Sequence, residues 1–150
     1  MLLIFDFYKY LLVNRSTSEL IKIIEDFIPL SEDDSAYDDE SYFYDITDDL
    51  KSNTDGYRAI YSVIKLMERF PDVDFGSPGP LVHWLESYPG EYETILYDSI
   101  KRSPTSLTIW MLNRMINTEK DKLRRVIQIS LLTDVLKKEG LFVQVDNYVR

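Results

Sequence analysis

Residues 16–29 read STSELIKIIEDFIP, and the fold class follows from how that stretch is punctuated. Ser16-Thr17-Ser18-Glu19 has the form of a capping box, in which a hydroxyl accepts from an early backbone N–H and Glu19 reaches back to the cap. Behind it, Leu20, Ile23, Ile24, Phe27 and Ile28 recur at i, i+3, i+4, i+7 and i+8, one apolar stripe on a helix. Pro29 closes the helix, because it disfavours helical geometry at Ile28.

The same period runs on through the chain. Tyr57, Ile60, Tyr61, Ile64, Met67 and Phe70 keep it until Pro71. Residues 71–80, PDVDFGSPGP, form the one Pro/Gly-rich stretch and read as an ordered turn between helices. A helix over residues 80–88 carries Leu81, Trp84, Leu85 and Tyr88, and Pro89-Gly90 breaks it. Tyr92, Ile95, Leu96 and Ile100 mark another. Ser103-Pro104 predicts a helix start, a hydroxyl cap followed by proline where the missing N–H costs nothing. Leu107, Trp110, Met111 and Met115 follow it at helical spacing. The last helix spans residues 119–138, with Leu123, Val126, Ile127, Leu131 and Val135 as its inner face and Gly140 as its left-handed cap. The tail, LFVQVDNYVR, reads as a short strand or a docked helix. The expectation is an all-α domain over residues 1–150, about seven helices in antiparallel pairs. Stacked pairs of the α-solenoid kind would give this pattern, although no clean internal repeat is visible.

The charge is concentrated in one place. Residues 32–55, EDDSAYDDESYFYDITDDLKSNTD, hold ten carboxylates and one cation, a net −9, whereas residues 1–31 sum to −1 and residues 56–150 to +1. Tyr37, Tyr42, Phe43 and Tyr44 interleave with the acids. Within this acidic loop or short helix at 31–55, Tyr42, Phe43, Ile46 and Leu50 would face inward and Asp45, Asp48 and Asp49 outward. Acids at its start and Lys51 at its end suit the helix dipole, but the repelling acids in its middle do not. Like charges so dense oppose compaction, and clustered acid beside tyrosine suits a cationic protein partner. The plainer alternative is a loop kept soluble by its charge.

Composition narrows the chemistry. No cysteine is present, which removes disulfides, thiolate metal sites and cysteine nucleophiles. The apolar start, MLLIFDFYKYLLV, lacks a basic n-region and a small-residue cleavage site and is too short to span a bilayer. An acidic chain argues against direct binding of nucleic acid or an anionic membrane. His83, the one histidine, has Glu86 at i+3, a pair able to hold a metal or exchange protons. Zinc needs at least three protein ligands, and no second histidine or cysteine exists to complete them. His83 is therefore read as a hydrogen-bonded residue packing the turn after Gly79-Pro80. The glycines of residues 75–83, FGSPGPLVH, match no phosphate-binding pattern, and the prolines remove N–H donors. Arg114, four residues past Trp110, is placed to pair with a carboxylate of a neighbouring helix or to stack on an aromatic ring. No cofactor site is expected.

Residues 76–117 carry a resemblance. Gly76-Ser77-Pro78-Gly79-Pro80-Leu81-Val82-His83, then Ser103-Pro104-Thr105, then Trp110-Met111-Leu112-Asn113-Arg114 are similar to a family of small helical bacterial immunity proteins of polymorphic-toxin and contact-dependent growth inhibition systems. The resemblance implies a HEAT-like helical fold, a cytoplasmic location and inhibition of a cognate toxin by direct binding, with no catalytic residues to carry over. The acidic segment lies outside the matched runs. Assigning it to toxin contact rests on its charge: Asp38, Asp39, Glu40, Asp45, Asp48 and Asp49 would meet toxin lysines and arginines, and Tyr42, Phe43 and Tyr44 would supply buried contact. The partner is then a basic domain of nuclease type. Two rival readings are a helical scaffold or adaptor for protein partners and an enzyme centred on His83 and Glu86.

Overall fold

A computed structural model describes residues 14–29, 39–76 and 78–139 of the chain. Their regular structure is helical: α1 Thr17–Glu25, α2 Asp39–Ser52, a 3-10 turn Gly56–Ala59, α3 Ile60–Arg69, α4 Gly79–Glu86, α5 Glu93–Arg102, α6 Ser106–Thr118 and α7 Lys122–Lys138. No strand occurs among the described residues. The apolar start and the tail, for which a strand or docked helix was expected, lie outside them, as does Asp38.

The expected capping box opens α1. The Glu19 N–H donates to Ser16 Oγ at 3.2 Å, and the Glu19 carboxylate accepts from the Ser16 N–H at 2.7 Å. The helix stops at Glu25, short of Pro29, where the Phe27 N–H donates to the Ile24 carbonyl at 3.4 Å and Arg69 donates to the carbonyls of Ile24 (2.7 Å) and Glu25. The last carbonyls of a helix lack the regular bond from four residues on, and the arginine supplies a donor to them. Leu20, Ile24 and Phe27 are buried as the stripe predicts, but Ile28, beyond the helix, is 78% exposed.

The acidic segment forms a fourteen-residue helix rather than a short one. Phe43, Ile46 and Leu50 are fully buried on its inner side. Each such side chain contributes about 1.5–3 kcal/mol on burial, which outweighs the few tenths of a kcal/mol lost to each like-charged pair along the helix. Gly56 lets the 3-10 turn close onto the end of α2, since a Cβ there would strike the Leu50 carbonyl.

Two expectations needed correction at helix starts. Tyr57 lies in the 3-10 turn, and it and Tyr61 are exposed; α3 buries Ile60, Val63, Ile64 and Met67 instead. The cap of α6 is Thr105, not Ser103. Thr105 Oγ1 accepts from the Thr108 N–H at 3.2 Å, Thr108 Oγ1 accepts from the Thr105 N–H at 3.0 Å, and Pro104 precedes the cap.

The packing alternates. α1 packs on α3, α3 on α5 and α5 on α7, while α2 packs on α4, and α6 is joined to α4 by an ion pair described below. Odd and even helices thus form two layers, the arrangement that stacked helix pairs of an α-solenoid produce. α5–α6 and α6–α7 touch across three-residue links and so run antiparallel. Where α1 and α2 meet the α3–α4 turn, Phe27 sits in an aromatic cluster with Tyr42 (5.6 Å), Phe43 (4.8 Å), Phe70 (5.9 Å) and Phe75 (6.4 Å between centroids).

Candidate functional site

α2 is anchored from below and from one side. Arg15 Nε meets Asp49 Oδ2 at 2.6 Å, and Asn53 Nδ2 donates to the Arg15 carbonyl at 2.9 Å. Asp55 accepts from Thr17 Oγ1 at 2.5 Å and from Arg58 Nη1 at 2.9 Å. Those two hydrogen bonds, Thr17 first, hold the Asp55 carboxyl below its ordinary range. Asp49 and Asp55 therefore fasten the start of α1 to the end of α2.

The outward side of α2 carries Tyr44, Asp45 and Asp48. Tyr44 is 49% exposed, and both aspartates are exposed. Asp48 also faces Lys51 at 3.6 Å, an exposed i,i+3 pair worth little in water. Glu40 is half-buried beside Gly76, where a Cβ would approach its carboxylate to 2.8 Å and where φ is +88°. Only glycine suits that position. Tyr42 is half-buried and stacked on Phe27. Asp39 is the first residue of the helix. Phe43 has no accessible surface, so the expected contact role fails for that side chain: the helix turns it into the aromatic cluster, where it fixes α2 from inside.

The runs that carry the resemblance converge. The α3–α4 turn and α6 enclose a cleft of about 260 Å³ between Phe75, Gly76, Leu107 and Trp110. Below it, Arg114 grips Glu86 with two bonds, Nε–Oε1 at 2.9 Å and Nη2–Oε2 at 3.1 Å, and its guanidinium lies 5.0 Å from the Trp110 ring centroid. Both roles open to Arg114 in the sequence are filled together. Glu86 is thereby committed to structure, and His83 is exposed on α4 instead of packing the turn. Tyr92 beside this pair is buried, and burial, with the charges of Glu93 and Glu86, pushes its hydroxyl up to about 12.

A second ionic link ties α3 to α5. Glu68 meets Lys65 Nζ and Arg102 Nη2, each at 2.5 Å, and its side chain is 6% exposed. Desolvation raises its pKa, but the hydrogen bonds from Lys65 and Arg102 outweigh it and leave the carboxyl below its ordinary value. Among the described residues, no group of three or more His, Asp or Glu side chains could hold a metal ion. No described helix is long and apolar enough to cross a membrane.

α7 departs most from expectation. Leu123, Val126 and Ile127 are 71%, 62% and 58% exposed, Leu131 is half-buried, and only Val135 of the expected inner face is buried. The helix turns Gln128 and Val135 inward instead; Gln128 Nε2 donates to the Tyr97 hydroxyl at 3.0 Å. Periodicity marks an apolar stripe but carries no sign of whether a neighbour covers it. Comparisons with protein-family models, with curated proteins and with solved structures return no match.

Proposed function

We propose that this chain is an immunity protein that binds a cognate bacterial toxin domain with a basic, nuclease-type surface and covers its active site. The observation that carries the reading is the division of labour on α2. Phe43, Ile46 and Leu50 fix the helix to the core, and Tyr44, Asp45 and Asp48 line its outward side. A rigid acidic ridge with an aromatic body at its centre suits a surface that otherwise meets phosphate. Glu40 and Tyr42 border the contact, Asp39 is the first residue of the helix, and Asp49 serves as a fastening; Asp38 belongs to the contact by its charge alone. The cytoplasm, where such a toxin would act, belongs to this reading.

The test is co-purification with the toxin C-terminal domain encoded beside the gene, followed by titration of binding with salt. A tight complex that salt weakens is expected. Asp45→Lys with Asp48→Lys should slow association about tenfold or more at low salt, since clustered charge acts mainly on encounter. A complex indifferent to salt and to both substitutions would move the contact to apolar helix faces. Absence of any complex would favour the second reading, a helical adaptor, for which the exposed aliphatic residues of α7 speak.

A further inference from the structure

Gln128 of α7 is 3% exposed, and its amide is only half satisfied. Nε2 donates to the Tyr97 hydroxyl at 3.0 Å and reaches Glu119 Oε2 at 3.5 Å, whereas Oε1 is buried with no hydrogen-bond partner. A carboxylate only accepts, so the end of the amide beside Glu119 is the NH2 and the orphan is the carbonyl oxygen. A buried acceptor left without a donor is costly, and folded proteins keep few of them. The same side chain lines a cleft of about 360 Å³ between α5, α6 and α7, a size that suits a small molecule. Oε1 is covered as the structure stands, but the terminal torsion of a glutamine is soft, and a turn of the amide brings that oxygen to a donor in the cleft.

The charged groups lining this cleft are Glu93, Glu119 and Arg124. Glu93 spends both oxygens on the Gly90 N–H, at 2.9 and 2.8 Å. Glu119 Oε1 accepts from the Asp121 N–H at 2.9 Å, which leaves Oε2 with only the long contact to Gln128. Arg124 is exposed, and among the described residues its guanidinium is in no ion pair. Met115 and Ile127 supply apolar wall, and Ile127 is 58% exposed. We propose that the cleft binds a small ω-amino acid, a short methylene chain with an ammonium group at one end and a carboxylate at the other. The ammonium donates to Gln128 Oε1 and Glu119 Oε2, the methylenes lie on Met115 and Ile127, and the carboxylate faces Arg124. An ammonium brings three donors and no acceptor, which answers an orphan carbonyl beside a carboxylate, and a guanidinium is the matching partner for the other end. The site stands independently of what the outward side of α2 binds.

Isothermal titration calorimetry of the full chain with γ-aminobutyrate, and with butylamine and butyrate as its two halves, tests this. γ-Aminobutyrate should bind, and each half, lacking one charged contact, should bind about tenfold more weakly or worse. Arg124→Gln changes an exposed side chain; it should bring γ-aminobutyrate down to the level of butylamine and leave butylamine unchanged. Gln128→Leu keeps close to the original side-chain size and removes the orphan oxygen, so it should abolish binding of both amines, with the urea midpoint reporting that the fold persists. Absence of binding by all three probes up to about 10 mM overturns the proposal. So does butyrate that binds as tightly as γ-aminobutyrate, or an Arg124→Gln chain that keeps the full preference for γ-aminobutyrate over butylamine. A folded Gln128→Leu chain that binds like the unaltered one overturns it as well.

Discussion

Phe43 and Tyr44 are neighbours in sequence with opposite duties, which gives the sharpest contrast at the level of single residues. Phe43 has no exposed surface and lies 4.8 Å from Phe27 and 5.6 Å from Phe75 between ring centroids. Truncation of such a ring costs about 3–5 kcal/mol, as lost transfer energy and an unfilled cavity. Tyr44 keeps half its surface in water, so its loss should change stability by no more than about 0.5 kcal/mol. Urea denaturation of Phe43→Ala and Tyr44→Ala measures both. Near-equal losses would mean that α2 is not fixed through its inner face. Both residues read alike in the sequence, as aromatics among acids, because composition cannot show which way a helix is turned. The periodicity of Phe43, Ile46 and Leu50 does show it, and it was the better guide. Arg15 gave no such signal; its bond to Asp49 spans thirty-four residues and needed the fold to reveal it.

Among the elements, those with local signals were legible and those depending on a neighbour were not. The capping box at Ser16 needs only four adjacent residues, and it formed as read. At α6 two hydroxyls competed for the same role, Ser103 before a proline and Thr105 after it. Thr105 prevailed because it is extended and reciprocates with Thr108, whereas the Ser103 N–H donates back to the Ser99 carbonyl at 2.7 Å. Thr105→Ala should therefore cost about 0.5–2 kcal/mol, the usual range for a lost cap, and Ser103→Ala much less. Thermal denaturation of the two variants decides it, and the reverse order would return the cap to Ser103. For α7 the stripe of Leu123, Val126 and Ile127 was visible but its burial was misjudged. An amphipathic pattern records the surface a helix offers, while burial also requires something to receive it.

Across the whole molecule, the response to acid is set by three carboxyls that the fold holds below their ordinary values: Glu19 by the Ser16 cap, Asp55 by Thr17 and Arg58, and Glu68 by Lys65 and Arg102 despite its burial. A carboxyl with a depressed folded-state pKa adds stability that is complete above its unfolded value and fades as pH falls through its folded value. The ordinary values are 4.5 for Glu and 3.8 for Asp, so the loss begins near 4.5 and deepens below 3.8. Glu68 should dominate, because it is nearly buried and joins two helices of one layer, whereas Glu19 and Asp55 are exposed to solvent screening. The urea midpoint should thus stay level between pH 7 and 5, then fall. Glu68→Gln should lower stability at neutral pH by about 1–3 kcal/mol, since Lys65 and Arg102 lose a charged acceptor. It should also flatten the fall below pH 4.5 relative to the unaltered chain. A midpoint that climbs steadily through that range would mean that repulsion along α2, rather than the link between α3 and α5, governs how this fold meets acid.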